Sequence, residues 1–97
     1  MALREYDIDY KKPAEKFFRK HEDVRQKYEA DLAVFIADES SARVDVKNIK
    51  GKRSEYYRMR IGSWRVIFMI ADGKITVVNT ILAGSRGDIY KKIGGLS

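Results

Sequence analysis

The hydrophobic period changes once along this chain, and that change decides its fold class. Up to residue 36 the apolar residues recur at helical spacing. Ala14, Phe17 and Phe18 form one stripe, and Val24, Tyr28, Leu32, Phe35 and Ile36 follow at i, i+4, i+8, i+11 and i+12. From Glu55 onward the period is two. Tyr57, Met59 and Ile61 alternate with Tyr56, Arg58 and Arg60, as on a strand with one buried face. A run of helices followed by a run of strands implies an α+β fold, in which a helical hairpin packs on one face of a mostly antiparallel sheet.

Finer signals place the elements. Tyr6, Ile8 and Tyr10 alternate with acids and predict a first strand, and Pro13 suits the first turn of a helix. The two helices should break around Lys20–His21, and the second should fray near Asp38–Ser41. Val44, Val46 and Ile49 allow a short extended segment. Gly62–Ser63 predicts a tight turn into the apolar strand Trp64 to Ile70. Asp72–Gly73 predicts a hairpin, since both residues tolerate positive φ. The β-branched run Ile75 to Leu82 predicts a central strand ended by Gly84, and Arg86 to Lys92 a short terminal helix or an extended tail.

With 97 residues, one domain spanning 1–97 is expected. The chain has no cysteine, which rules out disulfides, thiolate catalysis and a Cys-based zinc site. The opening MALREYDIDYKK carries charges where a signal peptide needs an apolar core, and no apolar run is long enough to span a bilayer. A cytoplasmic protein without a membrane partner is therefore expected. Charge is segregated. Residues 1–46 hold nine Lys/Arg against eleven Asp/Glu, a net of −2. Residues 47–97 hold eleven against three, a net of +8. A basic half of this kind points to a polyanion, most often nucleic acid.

The residues that could carry chemistry lie in that half. Arg58 and Arg60 are two apart on a strand and share a face with Tyr56. Trp64–Arg65 opens the partner strand of the hairpin, which can bring Arg65 near them. Arg86 and Tyr90, four apart, share a face if the segment is helical. Guanidiniums bind phosphate through two parallel hydrogen bonds, and phenols stack on bases. Lys47, Lys50, Lys52 and Arg53 add a basic rim. Alternating arginine on a strand is also the ordinary solvated face of a half-buried sheet, and that plainer assignment competes with the first. Trp64 and Tyr57 are expected in the core. His21, the one histidine, is expected at the surface between the helices. No P-loop, dinucleotide fingerprint, H-E-x-x-H or Ser/His/Asp spacing is present, and no cofactor or metal is expected.

Three blocks resemble toxins of the RelE/ParE superfamily, in the order and spacing of that family. They are YDIDYKKPAEKFFRKH, IKGKRSEYYRMRIGSWRVIFMI and ILAGSRGDIYKKI. The resemblance implies the toxic half of a type II toxin–antitoxin pair. In the RelE-like branch this is a metal-independent endoribonuclease that cuts mRNA on the ribosome. In the ParE-like branch it is a non-enzymatic inhibitor of DNA gyrase. A third possibility is an inactive relative that only binds its antitoxin. Arg58, Arg60, Arg65, Arg86 and Tyr90 correspond to the family's catalytic positions, and retention of all these charges favours the RNase branch. The expected partners are an acidic antitoxin, the ribosome and mRNA, with gyrase as the alternative. The chain departs from the RelE pattern in carrying arginine at strand positions that hold lysine there, and in a shorter final Arg-to-Tyr spacing. Arginine does not readily give up its proton, so Arg58 and Arg60 are poor general bases.

Overall fold

A computed structural model describes residues 5–49 and 56–95. Its elements are β1 (Tyr6–Tyr10), α1 (Lys12–Lys20), α2 (Glu22–Ala37), β2 (Asp45–Asn48), β3 (Tyr56–Ile61), β4 (Trp64–Ala71), β5 (Thr76–Ser85) and α3 (Arg86–Gly95). The five strands form one sheet in the order β1-β5-β4-β3-β2. β1 runs parallel to β5, and every other pairing is antiparallel. This is the expected α+β architecture. The C-terminal segment is a helix, and β5 is an interior strand.

Local chemistry explains the boundaries. Pro13 sits in the first turn of α1, where its missing N–H costs nothing. His21, at φ −138° and ψ 62°, leaves helical geometry and separates α1 from α2; its backbone N–H donates to the Phe18 carbonyl. Glu22 and Asp23 place negative charge in the first turn of α2, where the helix dipole favours it. Asp38 ends α2, and its carboxylate accepts hydrogen bonds from the Ser40 N–H and hydroxyl, which hold its pKa below the usual carboxylate value.

The α1–α2 hairpin covers one face of the sheet. Phe18, Val24, Tyr28, Leu32, Phe35 and Ile36 pack there on Met59, Ile61, Val66, Phe68 and Val78. Tyr28 is fully buried, and its hydroxyl shares a 2.7 Å hydrogen bond with the Thr80 hydroxyl across the core. The opposite face has a smaller core of its own. There Ile89 of α3 packs on Ile67 and Leu82, with Tyr56, Ile49 and Ile81 at its edge.

Two turns differ in kind. Gly62, with φ +60°, opens the β3–β4 turn, as expected where the first central residue must take positive φ. Asp72–Gly73 was expected to make an equally tight turn, but neither residue has positive φ. The link from β4 to β5 is instead a longer loop, which the Asp72 carboxylate ties to Thr76 by accepting its hydroxyl hydrogen bond at 3.0 Å.

A register shift lies between Ile67 and Phe68. Ile67 pairs with Leu82 and Phe68 with Thr80, so Ile81 is an extra residue on β5. The bulge resets the alternation. Thr80 and Leu82, two apart, therefore point to opposite faces, Thr80 to Tyr28 and Leu82 to Ile89. β5 continues past Gly84, which was expected to end it, as far as Ser85, the partner of Trp64. Among the described residues no helix is long and apolar enough to cross a membrane.

Candidate nucleic-acid interface

The sheet face opposite the hairpin carries the arginines, and strand register shows how. One row crosses four strands as Asp45, Arg60, Arg65 and Gly84; the next runs Lys47, Arg58, Ile67 and Leu82. Neighbours in a row are one strand spacing apart, roughly 4.8 Å. The alternation of β3 therefore reached the right faces, with Met59 and Ile61 buried and Arg60 exposed.

The arginines differ in their surroundings. Arg58 is largely covered, and its guanidinium donates to the Asp45 carboxylate at 3.1 Å. Arg60 is exposed and makes no ion pair among the described residues, although its row neighbours are Asp45 and Arg65. Arg65 is 8% exposed, and its Nη1 donates to the carbonyls of Gly62 and Trp64, folding it back over the turn. Arg60 and Arg65 stand opposite each other across the strand pair, so two positive charges share one register position.

Gly84 ends the row beneath α3. A Cβ built there would touch Asp88 and Ile89 at 3.7 Å, so the first turn of the helix lies directly over the glycine. Arg86 is the first residue of α3 and is exposed. Ser85 caps the same turn, its hydroxyl accepting from the Asp88 N–H at 3.3 Å. Tyr90 lies one turn further on α3, and its side chain is outside the described residues. Tyr56 is half-buried against the Ile67–Leu82–Ile89 cluster, and Lys47 is exposed beside Arg58 in register. Lys50, Lys52 and Arg53 lie outside the described residues. The structure thus brings Arg58, Arg60, Arg65, Lys47 and Tyr56 onto one face, with Arg86 at its β5 end.

An acceptor for a proton is harder to find. Tyr10 and Tyr28 are held protonated well above the ordinary phenol range. Burial is the main cause for both, and for Tyr10 the hydrogen bond it donates to Glu29 adds to it. Both lie on the hairpin side.

The expectation for His21 was too plain. Its ring stacks on Phe17, with centroids 4.4 Å apart, and lies 4.7 Å from Trp64. All three rings line a cavity of about 700 Å³ between α1 and the adjoining end of the sheet, together with Lys12, Lys16 and Lys20. The spacing of Phe17 and His21, four residues, was the available signal.

The chain matches no family model and no curated protein. Among solved structures it is similar to YafQ from E. coli strain BL21(DE3), at 15% identity with a TM-score of 0.63, covering 89% of this chain and 99% of that one. It is also similar to the RelB–RelE antitoxin–toxin complex from Methanococcus jannaschii, at 23% identity with a TM-score of 0.59, covering 87% of this chain and 96% of that one. The fold is that of these proteins.

Proposed function

We propose that this RelE-like fold is the toxin of a type II toxin–antitoxin pair, a ribosome-dependent endoribonuclease that cuts mRNA in the A site and so stops translation. The single observation that supports it best is the Arg60–Arg65 row, with Arg58 beside it and Arg86 at its end. Guanidiniums gathered on one sheet face suit a phosphate, which they bind through paired hydrogen bonds.

In the reaction the ribose 2′-OH attacks the adjacent phosphorus and the P–O5′ bond breaks. The 2′-OH loses its proton, the departing O5′ gains one, and the products are a 2′,3′-cyclic phosphate and a 5′-OH end. Arg58, Arg60 and Arg65 hold the phosphate. Arg86 stabilises the charge that builds on the pentacovalent phosphorus. Tyr90 stacks on a base or takes the 2′-OH proton. Lys47, Lys50, Lys52, Arg53 and Tyr56 guide the strand. With no strong base in this set, orientation of the RNA by the ribosome supplies most of the rate.

The decisive assay uses purified chain with a defined mRNA, with and without programmed ribosomes. Cleavage is expected only with ribosomes, at A-site codons, leaving 5′-OH ends. Cleavage of free RNA at the same rate would contradict the ribosome-dependent reading.

The partner is an acidic antitoxin whose chain folds over the basic half, as its +8 charge invites. The RelE of the similar complex is bound to RelB. The chain should co-purify with the product of an adjacent reading frame and release it as salt rises. A salt-insensitive complex centred on the acidic first half would argue against this partner.

A further inference from the structure

The groove between α1 and the β4–β5 end of the sheet has a chemistry that the arginine face does not use. Lys12, Lys16 and Lys20 are spaced by four and therefore form one stripe along α1. All three are exposed and line the groove, and none makes an ion pair among the described residues. Beneath them the wall is aromatic. Phe17, His21 and Trp64 are in mutual contact, with His21 and Trp64 half-buried. Cations alternating with ring faces are what an unpaired nucleotide needs, phosphate on the lysines and base on the rings. An acidic peptide would use the lysines but has no need of the aromatic wall. Asp88, the one carboxylate that lines the groove among the described residues, can accept a hydrogen bond from the exocyclic amine of a base. The volume, about 700 Å³, falls within the roughly 300–1,000 Å³ of small-ligand pockets.

Position connects this groove to the arginines. Trp64 and Arg65 are consecutive on β4 and so point to opposite faces, and Ser85, which lines the groove, immediately precedes Arg86. Groove and arginine face therefore meet at one end of the sheet.

We propose that this groove holds one unpaired nucleotide of the RNA strand whose scissile phosphate lies on the arginine face, the strand bending round the Ser85–Arg86 end. The identity of the strand rests on the function proposed above; the chemistry of the groove does not.

Trp64 is the only tryptophan, so its fluorescence reports on the groove directly. The probe is a short 2′-O-methyl oligoribonucleotide, which lacks the nucleophile and stays intact. Titration into the full chain should quench Trp64 saturably. Lys16→Glu should weaken binding by roughly tenfold at low salt, whereas Lys74→Glu, at the other end of β5, should not. His21→Ala, which keeps every lysine, should also weaken binding. Thermal melts identify any variant that has lost its fold. The proposal is overturned if the oligonucleotide does not quench, if Lys16→Glu binds as wild type does, or if a polyglutamate peptide quenches with equal affinity. Ribosome-dependent cleavage by wild type, measured alongside, separates the two outcomes: cleavage without quenching removes the groove alone, and quenching without cleavage removes the proposed reaction alone.

Discussion

Arg86→Ala should lower mRNA cleavage by on the order of a hundredfold or more and abolish growth arrest, while the melting temperature stays near that of wild type. Arg86 opens α3. A cation at a helix N-terminus opposes the helix dipole, so its removal should, if anything, favour the helix by a few tenths of a kcal/mol. Ile89, 1% exposed against Ile67 and Leu82, and the Ser85 cap help to fasten α3 to the sheet. None of these contacts uses the Arg86 side chain. Loss of activity without loss of fold is therefore the signature of a charge that acts on the reacting phosphate. Arg65→Ala should also lose turnover, but with a lower melting temperature, because its Nη1 holds the carbonyls of Gly62 and Trp64. Arg58→Ala should do least, since Arg58 is engaged by Asp45 and Arg60 can share its phosphate contact. Primer extension on a reporter mRNA and thermal melts of the same preparations separate these cases.

Phe68→Ala should unfold the domain in part or entirely. Phe68 is fully buried at the centre of the larger core, stacked on Tyr57 with centroids 5.5 Å apart, and in ring contact with Tyr28 and Phe35 at 6.1 and 6.0 Å. Truncating a buried phenylalanine costs about 3–5 kcal/mol, against a total of about 5–15 kcal/mol for a typical domain. The melting temperature should fall by more than about 10 °C. Leu32→Ala, from the hairpin side of the same core, should come close to this. Phe17→Ala and Trp64→Ala should cost less, because both rings are only partly buried beside the groove. A wild-type melting curve for Phe68→Ala would mean that the faces of β4 have been assigned the wrong way round.

Where one rule governed a segment, the sequence reading matched the structure. Tyr6, Ile8 and Tyr10 fell on β1, Val24 to Ile36 on α2, and Arg58 and Arg60 on the face away from the hairpin, because periodicity alone decides these. Where two rules met, it failed. On β5 an uninterrupted period of two would put Thr80 and Leu82 on one side, yet the bulge at Ile81 sends them to opposite sides. A bulge answers to the partner strand, which periodicity on one strand does not contain. Gly84 looked like a stop because glycine weakens strands, but here it lies under α3, where close packing favours a small residue. Asp72–Gly73 had the chemistry of a tight turn, yet the ladder ends at Ala71 and Val77, too far apart for one. His21 was assigned from its place between two helices, whereas its surroundings are set by Phe17 one turn back and by Trp64 from β4. Of the candidate site, the shared face of the strand arginines was legible. The Asp45 partner of Arg58 was not, because it depends on the register of β2, a strand of four residues.

The central claim is that the guanidinium face cuts translated mRNA. Its most direct measurement is primer extension on a reporter mRNA after induction of wild type and of Arg60→Ala, the exposed arginine of the row. Codon-positioned cleavage is predicted within minutes of induction of wild type, and a loss of about a hundredfold for Arg60→Ala at equal protein level. Growth arrest by wild type with the reporter mRNA intact would contradict the claim, and induction of a DNA-damage response in its place would point to gyrase.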